Sequence, residues 1–208
     1  MSDLLTAKTN EADHMIAEQT LIQQLIAKNE QAFQHVVSKY QEMVGNVCYG
    51  FVQNQSDAEE LVQDVFVEVY TSIHKFKGNS KLSTWLYRIA VNKSLNLIAK
   101  RKRKRRIQTV STFFGFGEEK ERDYADIHTH NPAEQLENQE IKIALQTAIE
   151  KLPKSQQMAF VLRKYDNRSY VEIAEIMETT VSAVESLIHR ASRNLKKNLA
   201  GFYRQYFQ

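Results

Sequence analysis

The chain contains very little cysteine, proline and glycine: one Cys, two Pro and six Gly among 208 residues. The single cysteine, Cys48, excludes an internal disulfide, and its apolar neighbours predict a buried thiol. Alternating valine-rich runs are also scarce, whereas apolar residues recur at three- and four-residue spacing. This pattern predicts an all-α protein, and the hydrophobic content of 42% is enough for one large or two small domains.

Long apolar runs are absent as well. The first fifteen residues, MSDLLTAKTNEADHM, contain no basic region followed by an apolar core, and no run approaches the length that crosses a membrane. We therefore expect a cytoplasmic protein without membrane insertion. A Gly-rich phosphate loop and paired catalytic carboxylates are also missing, so we expect no enzymatic activity, no cofactor and no metal.

The net charge of +3 is distributed unevenly along the chain. Residues 1–99 sum to −3, residues 100–106 to +7, residues 107–150 to −6 and residues 151–208 to +5. Two basic zones separated by an acidic spacer are typical of a protein that contacts a polyanion at two places. For the basic run KRKRKRR, a solvated helix end is the alternative.

Helix-breaking residues divide the chain into two helical units. We predict an N-terminal tail at 1–19, an N-terminal unit at 20–106, a linker at 107–137 and a C-terminal unit at 138–208. The linker contains Gly115, Gly117 and Pro132 and has no sustained helical period, so it should be flexible or extended. His128 and His130 lie in it without a third ligand, which favours solvated side chains over a metal site.

An acidic amphipathic helix is predicted over residues 57–70, with Ser56 as its N-cap and Glu59 completing a capping box. Its apolar stripe should belong to the core, and its acidic stripe is free to bind a partner. The apolar stripe consists of Leu61, Val62, Val65, Phe66, Val69 and Tyr70; the acidic stripe contains Glu60, Asp64 and Glu68.

A second helix should follow the loop HKFKGNSKL, with Ser83 as its N-cap. Asparagine can pair with a base edge and Lys or Arg can bind phosphate, so its polar face favours nucleic-acid binding over an ordinary polar surface. Trp85 and Tyr87 could stack on unpaired bases or belong to the core. The predicted core residues are Leu86, Ile89, Ala90, Val91 and Leu97, and the polar face consists of Arg88, Asn92, Lys93, Asn96 and Lys100.

The C-terminal unit has the spacing of a helix-turn-helix, with Tyr170–Met177 as the first helix, a turn at 178–179 and a second helix over 180–198. A purely structural helical hairpin is the alternative. The predicted core consists of Val171, Ile173, Ala174, Ile176, Val181, Val184, Leu187 and Ile188. The predicted exposed face consists of Ser182, Glu185, Ser186, His189, Arg190, Arg193, Lys196 and Lys197, whose basic members suit DNA phosphates.

Residues 57–70, 76–96 and 152–191 together resemble the extracytoplasmic-function sigma factors of bacterial RNA polymerase. The resemblance implies a region 2 helical domain and a region 4 helix-turn-helix domain joined by a linker. The implied function is binding of core RNA polymerase, recognition of −10 and −35 promoter elements, promoter melting and transcription initiation. A stand-alone helix-turn-helix regulator remains the alternative, although it leaves the acidic helix and the helix after it unused.

The resemblance also implies roles for particular residues. The acidic helix would bind the β′ clamp coiled coil of the polymerase, while region 4 would contact the β flap and the −35 element. The loop over residues 76–82 would capture a flipped base of the −10 element. Because unstacking a base costs free energy, the free energy of protein–DNA binding would drive the melting of the promoter. An anti-sigma factor is left open as a further partner. The core-polymerase residues are Glu60, Gln63, Asp64 and Glu68; the −10 residues are Phe76, Lys77, Gly78, Asn79, Ser80, Arg88, Asn92, Lys93, Asn96, Lys100 and Arg101; the −35 residues are Ser182, Glu185, Ser186, His189, Arg190, Arg193, Lys196 and Lys197.

Two positions depart from the commonest pattern of the family. Glu178 occupies the turn where many helix-turn-helix motifs carry glycine, and Glu185 lies where some members have Arg. The acidic linker side chains would suit a basic channel of the polymerase or serve as a solvated spacer. These are Glu118, Glu119, Glu121, Asp123 and Asp126.

Overall fold

A computed structural model of the protein describes residues 17–113 and 132–206. Within these two ranges every regular element is a helix, which confirms the all-α prediction. A 3-10 turn, Ile73–Lys75, follows the third helix. The helices are α1 (17–26), α2 (Glu30–Val52), α3 (Gln55–Ser72), α4 (Leu82–Phe113), α5 (Pro132–Glu150), α6 (Lys154–Lys164), α7 (Tyr170–Met177) and α8 (Val181–Tyr206).

In the N-terminal unit, α2, α3 and α4 pack around a shared apolar core. The predicted apolar stripes of α3 and α4 supply much of it, and Leu61, Val65 and Leu86 are among its buried side chains. Tyr70 was expected in this core, but it is 42% exposed and meets the ring of Phe33 edge-on, with the ring centroids 5.2 Å apart. Tyr70 therefore lies at the margin of the core and not inside it.

Both predicted N-caps in this unit are wrong. Helix α3 begins at Gln55 because the Asn54 side chain accepts a hydrogen bond from the Asp57 N–H at 2.9 Å, which places Ser56 inside the first turn. Helix α4 begins at Leu82, ahead of Ser83. A carboxylate oxygen of Glu18 in α1 accepts from the Leu82 N–H at 2.5 Å, so another helix satisfies this free amide.

The helix-turn-helix of the C-terminal unit is formed by α7 and α8, and α7 has the predicted limits. Ser169 and Glu172 form a capping box at its start. The predicted core is wrong at two positions, because Val171 and Val181 are 60% and 43% exposed. The remaining predicted core residues are buried or half-buried on the inner faces of the two helices.

Both ends of the predicted linker are helical. The prediction of a flexible or extended segment is therefore wrong at these two ends. Helix α4 continues to Phe113, and α5 begins at Pro132. The linker residues between them lie outside the described residues. None of the described helices combines the length and the apolar character needed to cross a membrane.

The two helical units lie against one another. Helix α2 contacts α5 and α6, and α4 contacts α7. Buried residues of both units, including Phe51 and Leu162, belong to one continuous apolar cluster. A smaller cluster between α5 and α8 contains Ile149 and Leu195 and belongs to the C-terminal unit alone.

Candidate nucleic-acid interface

Helix α8 presents one continuous polar face. Its opposite face is anchored in the core by Val184, Ile188 and Ala191, so the orientation of the exposed side chains is fixed by burial. Arg190 is braced along the helix, with Nε donating to the Ser186 carbonyl at 3.2 Å. All eight side chains predicted to face the −35 element are exposed: Ser182, Glu185, Ser186, His189, Arg190, Arg193, Lys196 and Lys197.

The turn before α8 contains a residue in the left-handed conformation. Glu178 has φ 52° and ψ 50°, a region that glycine adopts without strain and that other residues rarely occupy. Its backbone N–H caps α7 by donating to the carbonyls of Ala174 and Glu175. Glu178 therefore adopts the left-handed conformation that glycine has in such turns, and the shape of the turn is unchanged.

The outer face of α3 carries an acidic stripe with an apolar residue in it. Glu60, Gln63 and Asp64 are exposed, and Val67 in the same stripe is 62% exposed. Glu68 differs from the others because it is half-buried and pairs with Lys93 of α4 at 3.3 Å. The structure thus joins a predicted polymerase-binding residue to a predicted −10 residue.

The loop before α4 lines a groove of about 1220 Å³ between this loop, α1 and α2. Phe76, Gly78 and Ser80 of the predicted base-capturing loop lie on its wall. Gly78 has φ 71°, in the left-handed region that favours glycine. Phe76 packs against the ring of Trp85 with centroids 5.3 Å apart, which fixes one end of the loop on α4.

The predicted polar face of α4 is divided between free and paired side chains. Asn92, Asn96 and Lys100 are exposed and available to a ligand. Arg101, a predicted −10 residue next to this face, pairs with Asp57 of α3. Arg88 is half-buried and contacts α7 of the C-terminal unit.

Comparison with known families matches residues 36–104 to Sigma-70 region 2 and residues 142–195 to Sigma-70, region 4. The chain is 32% identical to the ECF RNA polymerase sigma factor SigW of Bacillus subtilis over 180 residues, which cover 86% of this chain and 94% of SigW. The chain belongs to the extracytoplasmic-function sigma factors. This sigma factor is also 30% identical to the RNA polymerase sigma-H factor of Pseudomonas aeruginosa, over 90% of its own length and 96% of that relative.

Solved structures share the fold of this sigma factor. A chain of the complex of CnrH with the cytosolic domain of CnrY aligns with a TM-score of 0.58 and 23% identity, covering 89% of this chain and 98% of that one. A chain of the complex of the sigma factor RpoE with the anti-sigma factor NepR from Bartonella quintana aligns with a TM-score of 0.51 and 20% identity, covering 81% and 96%. By the residue ranges that match the two families, the acidic stripe and the α4 face lie in region 2, and the helix-turn-helix lies in region 4.

Sequence reasoning missed one polar cluster in the sigma factor, formed by Tyr87, Asp166 and Arg168. The buried Tyr87 hydroxyl donates to the Asp166 carboxylate, which also pairs with Arg168 at 2.7 Å. Burial raises the pKa of Asp166 above its usual value, although the Tyr87 hydroxyl and Arg168 both favour the charged carboxylate. Tyr87 is thus a core residue with a polar partner. Because Asp166 is distant in sequence, no local pattern could predict this contact.

Cys48 is fully buried, as predicted. Burial raises the pKa of its thiol to about 11, which keeps the thiol protonated and unreactive near neutral pH. Within residues 17–113 and 132–206, no three His, Cys, Asp or Glu side chains converge as a metal site would require. His128, His130 and the acidic linker residues lie outside the described residues.

Proposed function

We propose that this sigma factor binds core RNA polymerase in the cytoplasm and directs it to promoters by reading a −10 and a −35 element. The observation that carries the proposal is the presence of three separate exposed faces on rigid helices or their connecting loop. These are the acidic stripe of α3, the loop and polar face at α4, and the basic face of α8. A protein that joins an enzyme to two DNA segments needs three such surfaces.

The acidic stripe of α3 is proposed to bind the β′ clamp coiled coil. Glu60 and Asp64 are exposed, and Val67 adds an apolar contact in the middle of the charged surface. Apolar side chains surrounded by polar ones are typical of protein interfaces. Glu68 contributes through Lys93, because their ion pair holds α3 against α4.

The groove beside α4 is proposed to receive a base of the −10 element. Its wall combines an aromatic ring, Phe76, with the polar loop residue Ser80. Asn92 and Asn96 are exposed on the adjacent helix, where amides could pair with further bases. Flipping costs a few kcal/mol of unstacking, which the binding of neighbouring bases and phosphates would supply without hydrolysis.

Helix α8 is proposed to enter the major groove of the −35 element, with region 4 also touching the β flap. Ser186, His189 and Arg190 would lie nearest to base edges, and the exposed Arg193 and Lys196 on phosphates. Phosphate contacts of this kind make affinity fall with rising salt concentration. A stand-alone helix-turn-helix regulator is disfavoured, since relatives that match over 86% and 90% of the chain are sigma factors.

The test is transcription of sheared genomic DNA by purified core polymerase with and without the protein, with mapping of RNA 5′ ends. We expect new start sites that share two upstream elements at constant spacing. Core polymerase alone and a heat-denatured sample of the protein serve as controls. Absence of both new starts and core binding would contradict the proposal and favour the stand-alone regulator.

A further inference from the structure

The first amide of α4 receives its hydrogen bond from a different helix. The Leu82 N–H donates to a carboxylate oxygen of Glu18 in α1 at 2.5 Å, across a separation of 64 residues. Lys81, the residue before α4, has no acceptor in its side chain and therefore cannot act as a local side-chain cap. Because the first amides of a helix lack intrahelical partners and carry partial positive charge, a carboxylate is well matched to this position. Glu18 thus caps α4 from outside the helix.

This cap lies where the predicted base-capturing loop joins α4. The loop is held at its start by the ring of Phe76, which packs against Trp85 of α4. At its end, the Trp85 N–H donates to the Lys81 carbonyl at 3.2 Å, and Glu18 holds the adjoining Leu82 amide. The Leu82 side chain is fully buried, so the residue that follows the loop is fixed through both its backbone and its side chain.

Helix α1 is itself anchored at its other end. Leu25 is buried in the core of the N-terminal unit, and Leu21 packs against that core. Lys28, which follows α1 in the left-handed conformation with φ 60°, places its Nζ 4.0 Å from the ring centroid of Tyr70 in α3. Helix α1 therefore reaches from α3 to the start of α4, with Glu18 at the α4 end, and it forms one wall of the groove.

We propose that Glu18 is a positioning residue for the −10 element, because its cap fixes the end of the loop and keeps the groove in the shape that receives a flipped base. Glu18 and the loop residues Gly78 and Ser80 line the same groove. A loop that is already ordered loses less conformational entropy when a ligand binds to it. This role rests on the proposed function, since it concerns the capture of the −10 base. Loss of the cap should slow promoter opening and leave the contacts of α8 with the −35 element unchanged.

Two substitutions at Glu18 separate its hydrogen bond from its charge. Glu18→Ala removes the acceptor and the negative charge, whereas Glu18→Gln removes the charge and keeps a side-chain oxygen that can accept from the Leu82 N–H. Gln19→Ala, at the next and exposed position of α1, is the control for alanine in this helix. None of the three substitutions removes an apolar side chain from the core, so the fold should be retained.

The cap is measured on the free full-length chain by the rate at which the Leu82 amide exchanges with water, observed by nuclear magnetic resonance. We expect exchange about fivefold to tenfold faster in Glu18→Ala than in the wild type, because the amide loses its N-cap acceptor. Glu18→Gln should be only about twofold faster, since it loses the charge alone. Gln19→Ala should exchange as the wild type does. Equal rates in Glu18→Ala and the wild type would overturn the cap.

The positioning role is measured with holoenzyme on a promoter mapped by transcription. Fluorescence anisotropy follows initial binding to the duplex, and permanganate oxidation of the −10 thymines follows opening. We expect Glu18→Ala to bind the duplex as the wild type does and to open it about fivefold to tenfold more slowly. Glu18→Gln should restore most of the opening rate, and Gln19→Ala should match the wild type. Normal opening by Glu18→Ala, or equally slow opening by Glu18→Gln, would overturn the role of the hydrogen bond.

Failure of the positioning role and failure of the proposed function give different results. The exchange measurement needs neither polymerase nor promoter, so it detects the cap independently of transcription. A wild type that initiates at new start sites, together with a Glu18→Ala variant that opens them at the normal rate, would contradict the positioning role alone. A wild type that starts no RNA would contradict the proposed function, and the positioning role with it.

Discussion

Single side chains at helix starts determine where two of the functional helices begin. Asn54 accepts from the Asp57 N–H at 2.9 Å and starts the acidic helix α3, while Ser169 and Glu172 form the capping box of α7. An N-cap satisfies an amide that the helix itself leaves without a partner. These small contacts therefore set the register in which the exposed faces of both helices are displayed.

The Asn54 cap can be tested against the cap that local sequence favours. Asn54→Ala should destabilise the protein by about 1 kcal/mol, because the Asp57 N–H loses its acceptor. Ser56→Ala should have little effect, since Ser56 is exposed within the first turn of α3. Urea unfolding followed by circular dichroism measures both. A larger loss for Ser56→Ala would contradict the assigned cap.

The capping box of α7 gives a prediction about acid stability. Hydrogen bonds from the Ser169 N–H and hydroxyl, together with Arg168, lower the pKa of Glu172 below its usual value. A lowered folded-state pKa contributes stability that is present above the unfolded-state pKa and is lost as pH falls through the folded one. Glu172→Gln should therefore be less stable than the wild type near neutral pH and should approach it on acidification.

The size of this difference is limited by solvent, because the Glu172 side chain is 45% exposed. We expect about 0.5–1 kcal/mol near pH 7 from urea unfolding at a series of pH values. Asp166, whose pKa is raised, changes stability in the opposite direction on acidification. Glu172 is the smallest of the causes that shift the Asp166 pKa, so most of the Asp166 contribution is common to both proteins. A pH-independent difference in stability would therefore rule out the Glu172 carboxylate as its source.

At the level of elements, the limits of α7 could be predicted to the residue from the helix-turn-helix spacing, and the structure adds a capping box at its start. The start of α3 could not, because Asn54 and Ser56 are both good caps two positions apart and only the folded chain selects one. The exposure of Val171 and Val181 also escaped prediction, since both fit the apolar spacing of their helices. Periodicity identifies a face but does not say how far a neighbouring helix covers it.

The acidic stripe of α3 should be needed for polymerase binding and not for folding. Glu60→Lys with Asp64→Lys reverses two exposed charges without touching the Glu68–Lys93 pair. We expect at least a tenfold weaker binding to core polymerase, because like charges would face any basic partner surface. The exposed Glu42→Lys on α2, with unchanged binding expected, is the control. Retained affinity of the double variant in a pull-down would exclude the stripe as the docking surface.

Helix α8 allows a comparison between two arginines of the same helix. Arg190 lies on the proposed DNA face, whereas the exposed Arg204 lies in the last turn. Arg190→Ala should weaken holoenzyme binding to promoters with a mapped −35 element by about 1–3 kcal/mol, because a base-edge contact is lost. Arg204→Ala should leave it nearly unchanged. Fluorescence anisotropy at a fixed salt concentration measures both affinities. Equal effects of the two substitutions would show that Arg190 does not contact the base edges of the −35 element.

At the scale of the whole molecule, the contact between the two units was beyond sequence-based prediction. Tyr87 and Asp166 are separated by 79 residues, and no sequence motif predicts that the two residues are in contact. Arg88 lies on the predicted DNA face, but the sequence gives no sign that α7 occupies it. Local patterns predicted the two units and their faces, whereas their docking also depends on shape. One example is Gly50, which has no side chain where α2 lies against Val161 of α6.

This docking should make the two units unfold together. The main apolar cluster includes buried Val47 and Phe51 of the first unit and Val161 and Ile173 of the second, so melting either unit exposes surface of the other. Differential scanning calorimetry of the wild type should show one transition.

Gly50→Ala should split that transition, because a Cβ at Gly50 of α2 would lie 2.6 Å from Cγ1 of Val161 in α6 and would force the two units apart. The cluster between α5 and α8 gives the C-terminal unit a core of its own, so each unit should then melt separately. The midpoint of each unit should fall by about 4–8 °C for each kcal/mol of docking free energy that the unit loses. Gly45→Ala is the control, because a Cβ at Gly45 of the same helix would meet Cγ2 of Val62 at an ordinary 4.0 Å, and it should keep the single transition. Two resolved transitions in the wild type would mean that the units are thermodynamically independent.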